Sequence, residues 1–298
     1  MTDGPPGRRP AADETPVWVS NVKTPSRTWR ATIVRGVRRT HRFLTKTFIV
    51  VLPFALLWSW LGTTGDYTLA LRIGCSVAAL IVTPIVLLAW IDPPTSTYML
   101  STRLGLWGTD GRPRPVIQEF VPIDRIAKPM ALAVLVTEDA YFFWHVGFDP
   151  IEMWNAFQYN RKKRKPGYNL RGASTVSQQM TKNLFLLPTQ SYVRKIAEAF
   201  LTAIIEGLWT KRRILEIYLN IVEFGEGIFG VEAAAKRFFR KSASQLTPDE
   251  AALLAVALRA PRIYRVDDPP PAMLEAKAKT LQRMRWCGED MLTQLENI

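Results

Sequence analysis

Three stretches of the chain gather side chains that could do chemistry. The first is Glu138-Asp139-Ala140-Tyr141-Phe142-Phe143-Trp144-His145-Val146-Gly147-Phe148-Asp149. An acidic pair there runs straight into aromatic residues. A carboxylate against aromatic walls is desolvated, which raises its pKa and suits it to proton transfer. The plainer reading is an ordinary carboxylate at a helix end. The second stretch, Gly172-Ala173-Ser174-Thr175-Val176-Ser177-Gln178-Gln179-Met180-Thr181-Lys182-Asn183, packs hydroxyls, amides and a lysine into little more than two helical turns. Ser174 or Thr175 could simply cap a helix, and the same groups would suit sugars and phosphate oxygens. In the third, Arg194-Lys195-x-x-Glu198, Arg194 and Glu198 stand four apart on one helix face. They form either a surface ion pair or an anion site beside a second carboxylate.

Several chemistries find no support. No G-x-x-x-x-G-K-[ST] or G-x-G-x-x-G motif occurs, which argues against nucleotide binding. Two histidines, His41 and His145, argue against a His-based metal site, and two cysteines, Cys75 and Cys287, against a disulfide scaffold. The 298 residues are 48% hydrophobic, too apolar for a wholly disordered chain.

The elements that must hold these clusters read as mainly α. Helical periodicity is expected over Ile126–Phe143, Ser174–Leu186, Ser191–Leu208, Ile214–Ile221, Ile228–Phe239 and Met273–Leu295. Thr247-Pro248-Asp249-Glu250 reads as a capping box that opens a helix to Leu258. On Ser191–Leu208, Val193, Ile196, Phe200, Ile204 and Leu208 share one face. No clear period-2 strands stand out.

The amino-terminal third differs. The net charge is +13, and residues 1–46 hold ten Lys and Arg against three acids. This tail reads as disordered. Between Phe48 and Ile91 the only charges are Asp66 and Arg72. Ile73–Ile91 is expected to span a bilayer, with Phe48–Leu61 as a shorter additional segment. Trp58, Trp60, Tyr67 and Trp90 are candidate interfacial anchors. Asp92-Pro93-Pro94-Thr95-Ser96-Thr97 then reads as a helix-stopping linker. The basic tail belongs in the cytoplasm, so a single crossing places residues 92–298 outside it. The tail abuts an apolar stretch, which points its charge to a membrane surface rather than nucleic acid.

In order and spacing the clusters resemble glycosyltransferase family 51, the peptidoglycan glycosyltransferases that polymerise lipid II. Glu138–Asp149 is similar to its first motif, Gly172–Asn183 to its second and Arg194–Glu198 to its third. Lys211–Asn220 resembles a fourth, K-x-x-I-L-E-x-Y-L-N, and Phe224–Phe239 a fifth, with likeness over roughly residues 92–270. Ala173 and Ser177 depart from the usual pattern by small volumes. The penicillin-binding half is missing, so the resemblance implies a monofunctional enzyme.

The resemblance implies a lysozyme-like α fold at residues 92–298 and transfer with inversion, releasing undecaprenyl diphosphate. It makes Glu138 the general base. Lys182 and Arg194, assisted by Lys195, would bind the diphosphate. Glu198 would orient these cations or a divalent cation such as Mg2+, with no organic cofactor. Ser174, Thr175, Gln178, Gln179 and Asn183 would position substrate or order the loop. Asp139, His145, Glu216, Tyr218 and Asn220 would support the site. The implied partners are lipid II, the growing glycan chain and the cytoplasmic membrane, with the catalytic domain on its outer, periplasmic face. A lysozyme-like lytic enzyme is the alternative; it shares the fold and the glutamate but has no need of Lys182, Arg194 and Glu198.

Overall fold

Short polar residues set where most helices begin. In the computed structural model, which describes residues 66–107, 111–162 and 172–297, Ser96, Thr175, Ser191, Thr210 and Thr247 each accept a hydrogen bond from an amide three residues on. Each thereby satisfies one of the free donors of a first helical turn. The described helices are α1 (Asp66–Leu87), α2 (Thr97–Arg103), α3 (Lys128–Glu138), α4 (Pro150–Lys162), α5 (Val176–Phe185), α6 (Tyr192–Leu208), α7 (Lys211–Ile221), α8 (Val231–Phe239), α9 (Pro248–Ala257) and α10 (Pro271–Glu296). The mainly α expectation agrees with them. The tail 1–46 and the segment 48–61 lie outside the described residues.

Three short strands join the helices: β1 (Ile117–Gln118), β2 (Glu223–Gly225) and β3 (Ile228–Phe229). β3 pairs in parallel with β1 and antiparallel with β2. Gly227 makes the turn possible: at φ +75° it sits so close to Pro115 that a Cβ would lie 2.5 Å from that carbonyl oxygen. These strands were not expected, because two or three residues are too few to show a period of two.

Two helical groups share the core. α3, α9 and α10 pack on one another, and α5 packs on α6 and α7. Leu132–Val136 of α3 and Ala251–Ala257 of α9 are buried throughout, and the alanines of α9 allow close helix approach. Ile214, Ile217 and Tyr218 of α7 are fully enclosed. Removing a side chain of this size typically costs about 2–5 kcal/mol.

The carboxyl-terminal loop is anchored by a polar clasp. Arg262 donates to both oxygens of Glu223, at 3.2 and 3.0 Å, and to the Trp107 carbonyl at 3.2 Å. Trp107 Nε1 donates to the same carboxylate at 3.1 Å, and the guanidinium lies 5.0 Å from the indole. Paired and forked contacts of this kind hold a guanidinium in one orientation.

At the other end, α1 is tied to the helical body. Trp209 Nε1 donates to the Ile85 carbonyl at 2.8 Å. Arg213 donates to the carbonyls of Leu88 and Ile91 and to Asp92. The membrane span expected over 73–91 is not what the structure shows there: helix α1 starts at Asp66 and ends at Leu87, and the chain turns before Ile91. Among the described residues no helix is long and apolar enough to cross a membrane. Ile73, Val77, Leu80, Ile81 and Leu87 of α1 are nonetheless exposed.

Candidate active site

The helix expected to run to Phe143 stops at Glu138. Asp139 leaves helical geometry (φ −158°, ψ 74°) because its carboxylate is held elsewhere. It meets His145 Nε2 at 2.9 and 3.0 Å and accepts from the Val176 amide, the first of α5, at 2.9 Å. That contact ties the end of α3 to the start of α5 and aims Glu138 across α5. A 3-10 turn, Phe142–Trp144, follows, with Phe142 and Phe143 buried. Gly147 closes the turn at φ +82°, and its carbonyl accepts from Thr175 Oγ1 at 2.7 Å.

Glu138 ends α3 beside α5. Its Oε2 accepts from Gln179 Nε2 at 2.8 Å, and Gln179 Oε1 in turn accepts from the buried Tyr218 hydroxyl at 3.1 Å. Burial pushes the Glu138 pKa up. The Gln179 hydrogen bond and the charges of Arg259 and Lys182 oppose this, while Asp139 adds to it. Burial likewise holds Tyr218 well above its usual value, so it stays a hydrogen-bond donor. The result is a carboxylate of raised proton affinity, fixed in one orientation by a neutral relay.

The cations gather around Glu198, which is 2% exposed. Arg194 Nη1 donates to one of its oxygens at 2.8 Å and Lys195 Nζ to the other. Lys195 also reaches Ser174 Oγ at 3.1 Å, and Arg194 Nε reaches the Thr189 carbonyl at 2.5 Å. Lys182 lies nearby on α5, over the Tyr98 ring at 5.7 Å from its centroid. Among the described residues its ammonium has no hydrogen-bond or ion-pair partner. Burial lowers the Lys182 pKa and Arg194 and Lys195 lower it further, while Glu198 and Glu138 raise it. Lys182 thus feels both carboxylates and joins the base to the cation group. Three cations against one enclosed carboxylate leave an excess of positive charge that favours a bound anion.

The other expected residues have definite places. Thr175 and Gln178 form a reciprocal cap at the start of α5, each side chain bonding the other's backbone amide. Their polar atoms thus serve the helix start, and both are 3% exposed. Asn183 is buried on α5. Glu216 accepts from the Ile123 amide and from Arg213, and Asn220 exchanges hydrogen bonds with the Val121 backbone. Those two hold the segment before α3, and Tyr218 alone of the three reaches the relay to Glu138.

Three contributors escaped sequence reasoning. Tyr98, under Lys182, lies just past a stretch read as a linker; burial pushes its pKa to about 12. Arg259 acts on Glu138 from beyond α9. Glu206 accepts from Ser177 Oγ at 2.5 Å and from Lys211 Nζ at 2.6 Å, in a buried cluster beneath the turn. Lys211 also lies 4.4 Å from the centre of the Phe142 ring. Lys211 stood in a quoted motif, but nothing in its spacing identified its partner.

A divalent cation at Glu198 meets an unsuitable donor set. Both carboxylate oxygens already accept from cations. Among the described residues no group of three or more His, Cys, Asp or Glu side chains gathers to hold a metal. Hard cations take several oxygen ligands, and these residues do not supply them.

A desolvated carboxylate beside a cation group in net excess, carried on a helical scaffold, is an arrangement suited to group transfer. Residues 110–285 match the family model described as Transglycosylase, and the chain belongs to that family. It is 43% identical over 235 residues to the biosynthetic peptidoglycan transglycosylase of Yersinia pestis (strain Pestoides F), covering 79% of this chain and 92% of that one. It is 41% identical over 217 residues to that of Pasteurella multocida (strain Pm70), covering 73% and 87%. With that of Yersinia pseudotuberculosis serotype IB (strain PB1/+) it shares 44% over 212 residues, covering 71% and 87%.

Proposed function

We propose that the enzyme polymerises lipid II into β-1,4-linked glycan strands. The acceptor is the 4-hydroxyl of a GlcNAc, and the donor is a lipid-linked chain whose terminal MurNAc carries an α-linked diphosphate. Glu138 takes the hydroxyl proton as the oxygen bonds to the anomeric carbon. The bond from that carbon to the diphosphate oxygen breaks, and its electron pair leaves with undecaprenyl diphosphate. Attack from the face opposite the leaving group inverts the centre.

One observation carries this reading: helix α5 presents Gln179, bonded to Glu138, and one turn further on Lys182, whose charge faces Glu138 on one side and the Arg194–Lys195–Glu198 group on the other. Proton removal and stabilisation of the departing anion therefore fall within one field. Lys182, Arg194 and Lys195 receive the diphosphate, and Glu198 holds the last two in place. Gln179 orients the base and Ser174 orients Lys195. A lytic enzyme would have no use for the three cations.

The apolar faces support attachment to the membrane that carries both substrates. Tyr192, Val193, Ile196 and Phe200 of α6 are 62–92% exposed. Trp154 and Phe157 stack on the exposed side of α4, 5.7 Å apart. Exposed apolar side chains of this size on α6, α4 and α1 are of the kind that mark interaction surfaces. On this reading the catalytic domain works at the outer, periplasmic face of the cytoplasmic membrane.

Glu138→Gln tests the base. The variant keeps the shape and loses the proton acceptor, so kcat for glycan polymerisation from lipid II falls about 10²–10⁴-fold while the fold persists. Turnover near the wild-type rate would exclude Glu138 as the base.

A further inference from the structure

A recess of about 260 Å3 opens between the loop after α9 and the face of α10. Arg259, Tyr264, Glu275, Lys279, Thr280 and Arg283 line it, so three cations face one carboxylate. Among the described residues neither Arg259 nor Lys279 has an ion-pair partner. The recess is smaller than a pocket for a whole ligand, about 300–1,000 Å3, and fits a few acidic groups. Its loop is fixed by the Arg262–Glu223–Trp107 clasp and by the Tyr264 amide, which donates to the Ala260 carbonyl at 2.8 Å.

The recess adjoins the catalytic base on a side of its own. Thr280 Oγ1 meets Thr137 Oγ1 at 3.3 Å, and Arg283 donates to the Val136 carbonyl at 3.4 Å. These are the two residues before Glu138, and Arg259 acts directly on the Glu138 charge. Successive helix residues point about 100° apart. Thr137 therefore turns to α10 while Glu138 turns to Gln179 on α5. The diphosphate cations lie on α5 and α6, and this second cation group lies on the loop after α9 and on α10.

We propose that this recess is a subsite for the acidic peptide carried by the acceptor glycan. The assignment rests on lipid II polymerisation as proposed above. In an inverting displacement the acceptor comes from the face opposite the leaving group. Its appendages then fall away from Lys182 and Arg194, and the recess offers a separate cation group, Arg259, Lys279 and Arg283, next to the end of α3 that carries Glu138. Peptide carboxylates meeting these guanidinium and ammonium groups would orient the acceptor hydroxyl at Glu138.

The test compares lipid II bearing free peptide carboxylates with the same lipid II converted to amides, using the full chain. Amidation should raise the wild-type KM about five-fold, the range of one or two partly exposed ion pairs. Lys279→Glu, at an exposed position on α10, should raise KM for the carboxylate substrate and abolish the preference for it. Arg285→Glu, exposed on the same helix outside the recess, should keep that preference. Equal KM for both substrates in the wild type overturns the assignment, as does a preference that survives Lys279→Glu. The same loss in Arg285→Glu would trace the effect to general surface charge and also overturn it. No polymer from either substrate would instead refute the polymerase reading itself.

Discussion

Replacing Gln179 by Met removes the amide between Glu138 and Tyr218 at nearly constant volume. In the wild type this amide gives Glu138 a hydrogen bond of 2.8 Å and lowers its pKa against the larger effect of burial. A hydrogen bond to a charged group contributes about 1.5–3 kcal/mol, and 1.36 kcal/mol corresponds to one pKa unit. Water can reach the partly open end of α3 and replace some of the bond, so the expected rise is about one unit. The base works only when ionised, so the acid limb of the kcat profile should move to higher pH by that amount. On that limb the rate at fixed pH falls about ten-fold. Tyr218, 0% exposed, also loses its acceptor, which costs about 1–3 kcal/mol. The assay is the initial rate of polymerisation from saturating lipid II across the acid limb, with a thermal melt beside it. An acid limb that stays in place, or moves to lower pH, would refute the relay.

Glu138→Gln should also make the protein more stable at neutral pH. Burial holds the folded pKa of Glu138 above its ordinary carboxylate value, so between those values the folded state binds more protons than the unfolded one. Stability then falls as pH rises through the folded pKa, and the neutral amide escapes that loss. Tm by calorimetry should favour the variant at pH 7 and converge with wild type below the unfolded pKa; a lower Tm at pH 7 would count against a desolvated base. Gly147→Ala should destabilise, because φ is +82° and the new Cβ would lie 2.8 Å from Thr202 Cγ2 and 3.0 Å from Glu206 Cγ. A loss of about 2 kcal/mol would lower Tm by about 4–8 °C, and an unchanged Tm would show that the turn relaxes freely.

Helix starts were legible because capping is local chemistry: Thr175 with Gln178, and Thr247 with Glu250, sit in the sequence as they sit in space. The end of α3 was not, since Asp139 breaks the helix through His145 and a distant amide that no local pattern reveals. α4 went unread because Trp154 and Phe157 face outward, so its apolar residues do not mark a buried stripe. On α6 the apolar periodicity was plain, but periodicity identifies a face and not what covers it, and three of its five residues, Val193, Ile196 and Phe200, are exposed. The motif order identified which residues to expect at the site. Their division of labour came only from contacts: Thr175 and Gln178 to the cap, Gln179 to Glu138, Ser174 to Lys195. Arg259 and Tyr98 could be placed only by the fold.

The positive charge of Lys182 restrains the proton affinity of Glu138 while the cleft is empty. An anion seated on that lysine cancels the restraint, and its own charge raises the affinity further. On the mechanism proposed above, the base would hold its proton more tightly once the leaving group docks, a gain in proton abstraction only while the pH stays above its raised pKa. Donor binding and the acid limb of the pH profile would then be linked through a single lysine.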